Sequence, residues 1–296
     1  MRANTKEILQ KFNIKLTKSL GQNFLTDDNI VGKIIDTAEI AKTDLVIEVG
    51  PGIGNMTREL AKRAGKVAAI EIDKHLIPAL KENLNEFTNV DIINEDVLNV
   101  DIKRLTEDIR QTYDTELKND KVKVVANLPY YITTPIIMKF LEEDPGIDMM
   151  VLMVQKEVGE RIAAKPGGKD YGALSVAVQY YAKPETVLKV PPGCFIPQPE
   201  VDSVVIRLKV FDQPPVKLLN KDIFFKTVKA SFGQRRKTLI NALSNSGQFH
   251  LSKEEIKQIL ESIGVDEKQR GETLTIEQFA RLANAFSGQK RNQGFD

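Results

Sequence analysis

The chain has 296 residues, of which 42% are apolar and 28% charged, and its formal net charge is +1. This length and composition suffice for one large domain and a small one, and a net charge near zero neither favours nor excludes nucleic acid as a partner. The single cysteine, Cys194, excludes an intramolecular disulfide framework. The two histidines, His75 and His250, lie too far apart in sequence to favour a zinc or Ser-His-Asp centre, so we expect no metal site.

The N-terminal residues carry charge at Lys6, Glu7 and Lys11 and contain no apolar stretch of the kind found in signal peptides. Nowhere does the chain run through about 18 uncharged apolar residues, which a membrane-spanning helix requires. We therefore expect a cytoplasmic protein with neither a secretion signal nor a membrane span.

Strand-like and helix-like patterns alternate from about residue 44 onward. The predicted strands are 45–49, 67–72, 90–94, 121–126 and 149–154, and the predicted helices are 55–63, 74–84, 101–117, 134–141, 157–164 and 174–181. Thr134 is the predicted cap of the fourth helix, with Pro135 in its first turn. This alternation is typical of an α/β fold with a parallel sheet and crossover helices.

The pattern changes near the end of this sheet, because 186–190 and 204–210 are strand-like runs with no helix between them. They are predicted to pair as an antiparallel edge. Gln213-Pro214-Pro215 marks a boundary, after which helices are predicted at 223–232, 237–243, 253–263 and 276–286. We therefore predict an α/β domain over residues 1–212 and a small all-helical domain over residues 213–296.

A glycine-rich turn at residues 48–54 leaves the first strand and enters a helix, so Gly50 and Gly52 let the backbone press against a ligand at a helix N-terminus. Glu71, about twenty residues on, is placed to accept ribose hydroxyls, and Asp96 to accept from an adenine amino group. Either acid alone is better explained as a solvated carboxylate at a strand end. Together they favour an adenosine-containing ligand, either a dinucleotide or S-adenosylmethionine.

Asn127-Leu128-Pro129-Tyr130 follows the apolar run 122–126, at the strand end where open α/β sheets place their chemistry. An amide and a backbone carbonyl beside an aromatic ring suit a flat base that carries an amino group. An oxidoreductase would instead need a site for hydride transfer and usually a proton donor at this strand end. This tetrapeptide therefore favours the methyl donor over a dinucleotide. The alternative is that Asn127 caps the next helix and Tyr130 is an ordinary core residue.

The segment 226–240 contains five basic residues and no acid, which is the footprint that phosphate contact requires. Arg235, Arg236 and Lys237 are its consecutive members, and we place them on a basic helix. A solvated helix face is the commoner meaning of such a run. The segment 165–170, rich in glycine and lysine, is predicted to be a mobile loop near a substrate, although a plain surface connection is equally compatible with the sequence.

At this point the chain closely resembles the ribosomal RNA adenine dimethyltransferase family, and in particular its KsgA-type small-subunit enzymes. The resemblance covers nearly the whole chain. Its motifs are the segment 20–25, the loop 48–54, Glu71, Asp96, the segment 127–130, Phe195 with Pro197 and Pro199, and the segment 232–239. It implies a Rossmann-like S-adenosylmethionine-dependent methyltransferase sheet, and it assigns Asn23, Leu25 and Asn127 to the cofactor along with Gly50, Glu71 and Asp96.

The resemblance further implies the substrate: two adjacent adenosines in a loop near the 3′ end of 16S ribosomal RNA, each dimethylated at N6. The expected partner is small-subunit ribosomal RNA within a 30S assembly intermediate, and the expected state is a monomer. Leu128, Thr133-Thr134-Pro135 and the segment 234–239 look more like the small-subunit enzymes than the 23S dimethyltransferases. Tyr131 stands where Asn is common in the family.

The residues then suggest a mechanism. We expect the Asn127 side-chain oxygen and the Leu128 carbonyl to accept the two N6 hydrogens, with Tyr130 and Phe195 stacking on opposite faces of the adenine. The alternatives that remain open are a DNA adenine N6-methyltransferase and a non-catalytic assembly factor that binds ribosomal RNA. The 23S enzymes are a third alternative.

Overall fold

The computed structural model describes residues 5–14, 20–113, 121–143 and 146–292, with side chains described up to residue 288. The predicted helix end at 113–117 falls largely outside these residues. By internal contacts the chain divides into two compact units, the first formed by Met1–Gly159 and Lys183–Val210, the second by Glu160–Ala182 and Phe211–Asp296. The sequence places a boundary near residue 212, close to one of these divisions, but it assigns residues 160–182 to the first domain.

The first unit contains these elements: α1 (Thr5–Lys11), β1 (Phe24–Leu25), α2 (Asp28–Thr37), β2 (Leu45–Val49), α3 (Asn55–Arg63), β3 (Lys66–Ile70), α4 (Ile77–Asn83), β4 (Val90–Ile93), α5 (Ile102–Thr112), β5 (Val122–Asn127), α6 (Thr133–Glu142), β6 (Ile147–Gln155), the start of α7 (Lys156–Ala163), most of β7 (Ala182–Val190), β8 (Phe195–Ile196) and β9 (Ser203–Val210). The second unit contains the rest of α7, α8 (Ala173–Tyr181), α9 (Lys221–Phe232), α10 (Leu239–Ser244), α11 (Lys253–Ser262) and α12 (Ile276–Asn292).

The main sheet has the strand order β4-β3-β2-β5-β6-β9-β7 in the described residues. Strands β2 to β6 pair in parallel, and β9 runs antiparallel to β6. The central strands are mostly apolar and are buried along nearly their whole length, as a parallel sheet covered on both faces requires. The predicted parallel sheet is therefore confirmed, as is the pairing of the last two strand runs at its edge.

A second, two-stranded sheet joins the N-terminal segment to the loop before β9. Phe24 pairs with Ile196 and Leu25 with Phe195, in antiparallel register. The Thr26 backbone N–H and its hydroxyl both donate to the Cys194 carbonyl, at 2.9 and 3.1 Å. Asp27 then caps α2, its side chain accepting from two backbone amides. This small sheet fixes the segment before α2 against the first unit.

Several predicted helix starts are wrong, among them that of α4, which begins at Ile77 and not at residue 74. Helix α6 begins at Thr133 rather than after a Thr134 cap, because the Thr133 hydroxyl donates to the Pro129 carbonyl at 3.0 Å and closes the turn there. Residues 233–238 form turns between α9 and α10 and not a basic helix. The Lys237 N–H donates to the Gln234 carbonyl at 2.9 Å within this turn, and α10 begins only at Leu239, whose N–H donates to the Gln269 carbonyl at 2.7 Å.

The second unit is a group of helices around an apolar core that includes Tyr171, Val176, Phe224 and Phe279. In the described part of the chain, no helix combines the length and apolar character needed to cross a membrane.

Candidate active site

One pocket opens at the carboxyl ends of β2, β3 and β5 in the first unit. Its lining includes ten of the eleven residues predicted from the sequence for cofactor binding or catalysis, namely Asn23, Leu25, Gly50, Gly52, Glu71, Asp96, Asn127, Leu128, Pro129 and Tyr130. The exception is Phe195. The segment 20–25, which the residues alone did not single out, forms one wall.

The glycine-rich turn and Glu71 form one hydrogen-bonded unit. Gly50 and Gly52 have φ values of +69° and +62°, which side chains rarely adopt. The Glu71 carboxylate accepts the Gly52 N–H at 3.0 Å and the Asp73 N–H at 2.8 Å. Burial raises the pKa of Glu71, and these two amide hydrogen bonds act against that rise. Glu71 is thus held at the end of β3, as the sequence predicts.

Glu48 is a buried acid in the pocket wall that the sequence reasoning did not select as a site residue. Its side chain is 1% exposed, and neither carboxyl oxygen has a hydrogen-bond partner within the described residues. Burial raises its pKa from 4.5 to about 8, and the charge of Glu71 adds to the rise. The nearby Thr57 hydroxyl lowers the pKa without adopting hydrogen-bond geometry. A buried acid without a partner fits a ligand that brings a donor or a positive charge.

Asp96 follows β4 at the other side of the pocket. One carboxyl oxygen accepts the Leu98 N–H at 2.9 Å, which fixes the side chain and leaves its second oxygen available. A carboxylate in this position can accept a hydrogen bond from an amino group in the pocket.

Asn127 is the last residue of β5, and its side chain does not cap α6. Its Nδ2 donates to the backbone carbonyl of Asn23 at 2.8 Å. This bond occupies the donor side of the amide and leaves Oδ1 without a partner among the described residues. Leu128 is 1% exposed and its N–H donates to the Met153 carbonyl at 3.1 Å. Two acceptors, Asn127 Oδ1 and the Leu128 carbonyl, therefore lie at one strand end.

The Tyr130 ring is half-buried and is fixed by its hydroxyl, which lies 2.7 Å from Ser203 Oγ. Burial raises the pKa of Tyr130, so the phenol stays neutral over the physiological range. Pro129, directly before it, precedes a turn of 3₁₀ helix at Tyr130–Ile132, and the α-helix α6 begins at Thr133.

Phe195 does not face the pocket. Its side chain is 1% exposed and packs in the apolar cluster that contains Leu25, its partner in the two-stranded sheet. The ring is enclosed in this structure, so stacking of Phe195 on the adenine stays a prediction. Tyr130 alone of the two predicted rings lines the pocket.

The predicted RNA-binding residues lie in the second unit, and Arg235, Arg236 and Lys237 are all exposed. The Arg235 guanidinium donates to the Lys169 carbonyl at 2.6 Å and forms an ion pair with Glu272 at 3.6 Å. Gly167 N–H donates to the Glu272 carbonyl at 2.7 Å. The loop 165–170 is thus exposed but bonded to the helical unit, and its proximity to a substrate stays a prediction.

The chain is similar to known proteins over nearly its whole length. Residues 13–287 match the family described as ribosomal RNA adenine dimethylase. The ribosomal RNA small subunit methyltransferase A of Clostridioides difficile (strain 630) is 58% identical over 283 residues, covering 96% of this chain and 95% of that protein. The protein of the same name from Alkaliphilus oremlandii (strain OhILAs) is 54% identical over 280 residues, with 95% of each chain covered.

Two solved structures also resemble the chain over most of its length. A dimethyladenosine transferase from Plasmodium falciparum has a TM-score of 0.74 and 26% identity, covering 92% of this chain and 98% of that one. The 23S rRNA methyltransferase ErmE has a TM-score of 0.65 and 27% identity, covering 90% and 100%. The match over residues 13–287, together with relatives more than half identical, decides the question: this chain belongs to the ribosomal RNA adenine dimethylase family.

Proposed function

We propose that this chain transfers methyl groups from S-adenosylmethionine to N6 of two adjacent adenosines in a loop near the 3′ end of 16S ribosomal RNA. The products are dimethyladenosines made during assembly of the small subunit. The observation that carries the proposal is the pair of acceptors at the end of β5, Asn127 Oδ1 and the Leu128 carbonyl, beside a glycine-rich turn and a bonded Glu71. The relatives named for small-subunit ribosomal RNA support the choice of substrate.

The pocket suits S-adenosylmethionine by the chemistry of its side chains. Glu71 would accept ribose hydroxyls, the second oxygen of Asp96 the adenine amino group, and the unpaired carboxyl of Glu48 a cationic amino group. Asn23, Leu25, Gly50, Gly52 and Asn127 would form the rest of the wall. The bound cofactor supplies an electrophilic methyl group on a sulfonium.

The residues at the end of β5 position and polarise the target. The N6 lone pair of adenine is delocalised into the ring, so the amine is a poor nucleophile. Asn127 Oδ1 and the Leu128 carbonyl accept its two hydrogens and favour a pyramidal nitrogen directed at the methyl group. The Asn23 carbonyl prevents the Asn127 amide from turning. No general base is needed, since the proton becomes acidic only as the new bond forms.

Tyr130 stacks on the adenine after the base has left its RNA stack, and Pro129 keeps its segment stiff. Arg235, Arg236 and Lys237 contact phosphates of the flanking RNA, with Arg235 also holding loop 165–170. The partner is a 30S assembly intermediate in the cytoplasm, and the enzyme acts as a monomer.

The test is incubation of the protein with labelled S-adenosylmethionine and small subunits that lack these methyl groups, followed by nucleoside analysis. Dimethyladenosine at two adjacent positions of 16S ribosomal RNA is the expected product. Two outcomes would contradict the proposal. One is transfer of a single labelled methyl group to duplex DNA, and the other is tight binding of the small subunit without any methylated product.

The likeness to ErmE makes 23S ribosomal RNA the second candidate substrate. Protein-free 23S ribosomal RNA therefore belongs in the same assay at equal concentration. The small-subunit proposal requires that the 30S particle be methylated at least ten times faster, because each decade corresponds to only about 1.4 kcal/mol of discrimination.

A further inference from the structure

Tyr131 is a large exposed aromatic residue at the mouth of the pocket. Its side chain is 55% exposed, and it lines the pocket together with Tyr130 in a short turn of 3₁₀ helix, Tyr130–Ile132. The two neighbouring tyrosines differ in their surroundings. The Tyr130 hydroxyl is bonded to Ser203, whereas none of the described residues bonds to the Tyr131 hydroxyl. The mechanism above uses only Tyr130.

One edge of the Tyr131 ring lies close to Gly21. Gly21 has a φ of +58°, and a Cβ built there would lie 3.2 Å from Tyr131 Cδ1 and 3.4 Å from Cε1. The ring therefore lies close to the glycine of the N-terminal segment. More than half of the side chain is exposed, so Tyr131 presents a flat surface beside the pocket.

A flat exposed ring at this place could contact the RNA substrate. When one adenosine enters the pocket, the base next to it in the RNA loses its stacking partner and must lie near the pocket mouth. An exposed aromatic ring recovers stacking for any base, because every base has a flat face. We propose that Tyr131 is a stacking platform for the nucleobase adjacent to the target adenosine. This inference rests on the proposed function, since it needs an RNA target with a neighbouring base.

The proposal predicts that a change at Tyr131 alters the KM for RNA and leaves the affinity for the cofactor unchanged. Tyr131→Ala removes the platform and is expected to raise the KM for the 30S substrate roughly 5- to 150-fold, the range that corresponds to stacking of one base. The affinity for S-adenosylhomocysteine, measured by calorimetry, should stay within twofold. Tyr131→Phe should behave like the wild type, and Tyr131→Leu, which keeps apolar bulk next to Gly21, should resemble Tyr131→Ala.

The competing role is that Tyr131 holds the segment 20–25 over the cofactor. In that case Tyr131→Ala would weaken S-adenosylhomocysteine binding by the same factor as it raises KM, and the proposal would be overturned. A KM within twofold of the wild type in both Tyr131→Ala and Tyr131→Leu would also overturn it. Val187→Ala is the matched control, since Val187 is an exposed apolar residue of the same unit that does not line the pocket.

A fluorescence measurement tests stacking directly. A loop RNA carries 2-aminopurine next to the target adenosine, and binding to the wild-type protein in the presence of S-adenosylhomocysteine should quench its fluorescence. Tyr131→Ala at saturating protein should lose most of this quenching, and retention of full quenching would refute the platform. If the wild type quenches the probe but makes no dimethyladenosine on 30S subunits, the proposed function fails and the stacking surface stands.

Discussion

Asn127 shows how one backbone contact defines a side chain's role. The strand pattern before it predicts its position at the end of β5, but two roles stay open in the sequence, a helix cap or a polarising acceptor. The hydrogen bond from its Nδ2 to the Asn23 carbonyl decides against the cap and occupies the donor side of the amide. This contact joins residues 104 positions apart, so no local pattern could indicate it.

Asn127→Ala should therefore lower kcat while the protein still binds RNA. Loss of a single preorganised hydrogen-bonding group at a reacting centre costs on the order of 10²- to 10³-fold in kcat. Single-turnover methyl transfer on 30S subunits measures the rate, and thermal unfolding of the variant controls for folding. Full methyl transfer by Asn127→Ala would show that the amide does not polarise N6.

Glu48 makes the stability of the fold depend on pH. Its carboxyl has an ordinary pKa of 4.5 when unfolded and about 8 when folded, so between these values the folded state binds more protons. The free energy of unfolding therefore falls as pH rises from about 4.5 to about 8, by about 1.4 kcal/mol for each unit of pKa difference. Above pH 8 Glu48 is ionised in both states, and the free energy of unfolding falls no further on its account.

Glu48→Gln should flatten this decline, because the amide cannot ionise. Relative to the wild type, the variant is expected to gain stability between pH 5 and pH 8. Urea unfolding at several pH values across this interval measures the difference. Parallel declines for both proteins would place the pH dependence on other groups.

Phe195 has a stacking role predicted by the family resemblance, and its ring is buried in this structure. Its burial against Leu25 predicts that Phe195→Leu lowers the free energy of unfolding by about 1 kcal/mol and leaves the KM for RNA unchanged. Chemical unfolding and steady-state kinetics on the same preparation separate the two effects. A raised KM with unchanged stability would restore the stacking role.

At the scale of elements, the sequence predicts best where apolar residues dominate a short run. Strands β2 and β5 match their predicted ranges within a residue, since both are predominantly apolar, as buried strands of a parallel sheet are. The sequence does not indicate the two-stranded sheet, because strands of two residues have no periodicity. The basic run predicts a helix around 235–237, but residues 233–238 form a turn closed by local bonds such as that from the Lys237 N–H to the Gln234 carbonyl.

Strand β1 depends on Gly52 for its place beside the glycine-rich turn. A Cβ at Gly52 would lie 2.6 Å from Phe24 Cε1, and the φ of +62° adds strain for any side chain. Gly52→Ala should displace Phe24 or the turn, and we expect it to weaken S-adenosylhomocysteine binding at least tenfold by calorimetry. Gly32→Ala is the control, because Gly32 lies within α2 with open space at its Cβ position. Equal affinities for the two variants would contradict this account.

At the scale of the whole molecule, the second unit includes residues that the sequence assigns to the first. Residues 160–182 follow β6 directly and have the helical pattern of a crossover, so their order in the chain favours the sheet domain. Their contacts instead assign these residues to the second unit. The Tyr171 hydroxyl donates to the Leu274 carbonyl at 3.0 Å, and its ring packs edge-on to Phe232 at 5.9 Å. Such distant partners leave no signal in the local pattern.

The division into units predicts that RNA affinity and cofactor affinity can be changed separately. Arg236 and Lys237 lie in the second unit, and the cofactor pocket is lined by residues of the first. The double change Arg236→Gln and Lys237→Gln should weaken RNA binding and reduce the slope of log affinity against log salt by roughly 1 to 2, because two phosphate contacts are lost. Binding of S-adenosylhomocysteine should be unaffected.

The matched control is Lys217→Gln with Lys253→Gln, which removes the same charge from exposed positions of the same unit. If only the long-range electrostatic attraction between protein and RNA were weakened, the salt slope would fall equally in both double variants. Direct contact by Arg236 and Lys237 requires a larger reduction in their variant than in the control. Filter binding of the loop RNA between low and moderate salt gives both slopes, and identical slopes would return these residues to the role of a solvated surface.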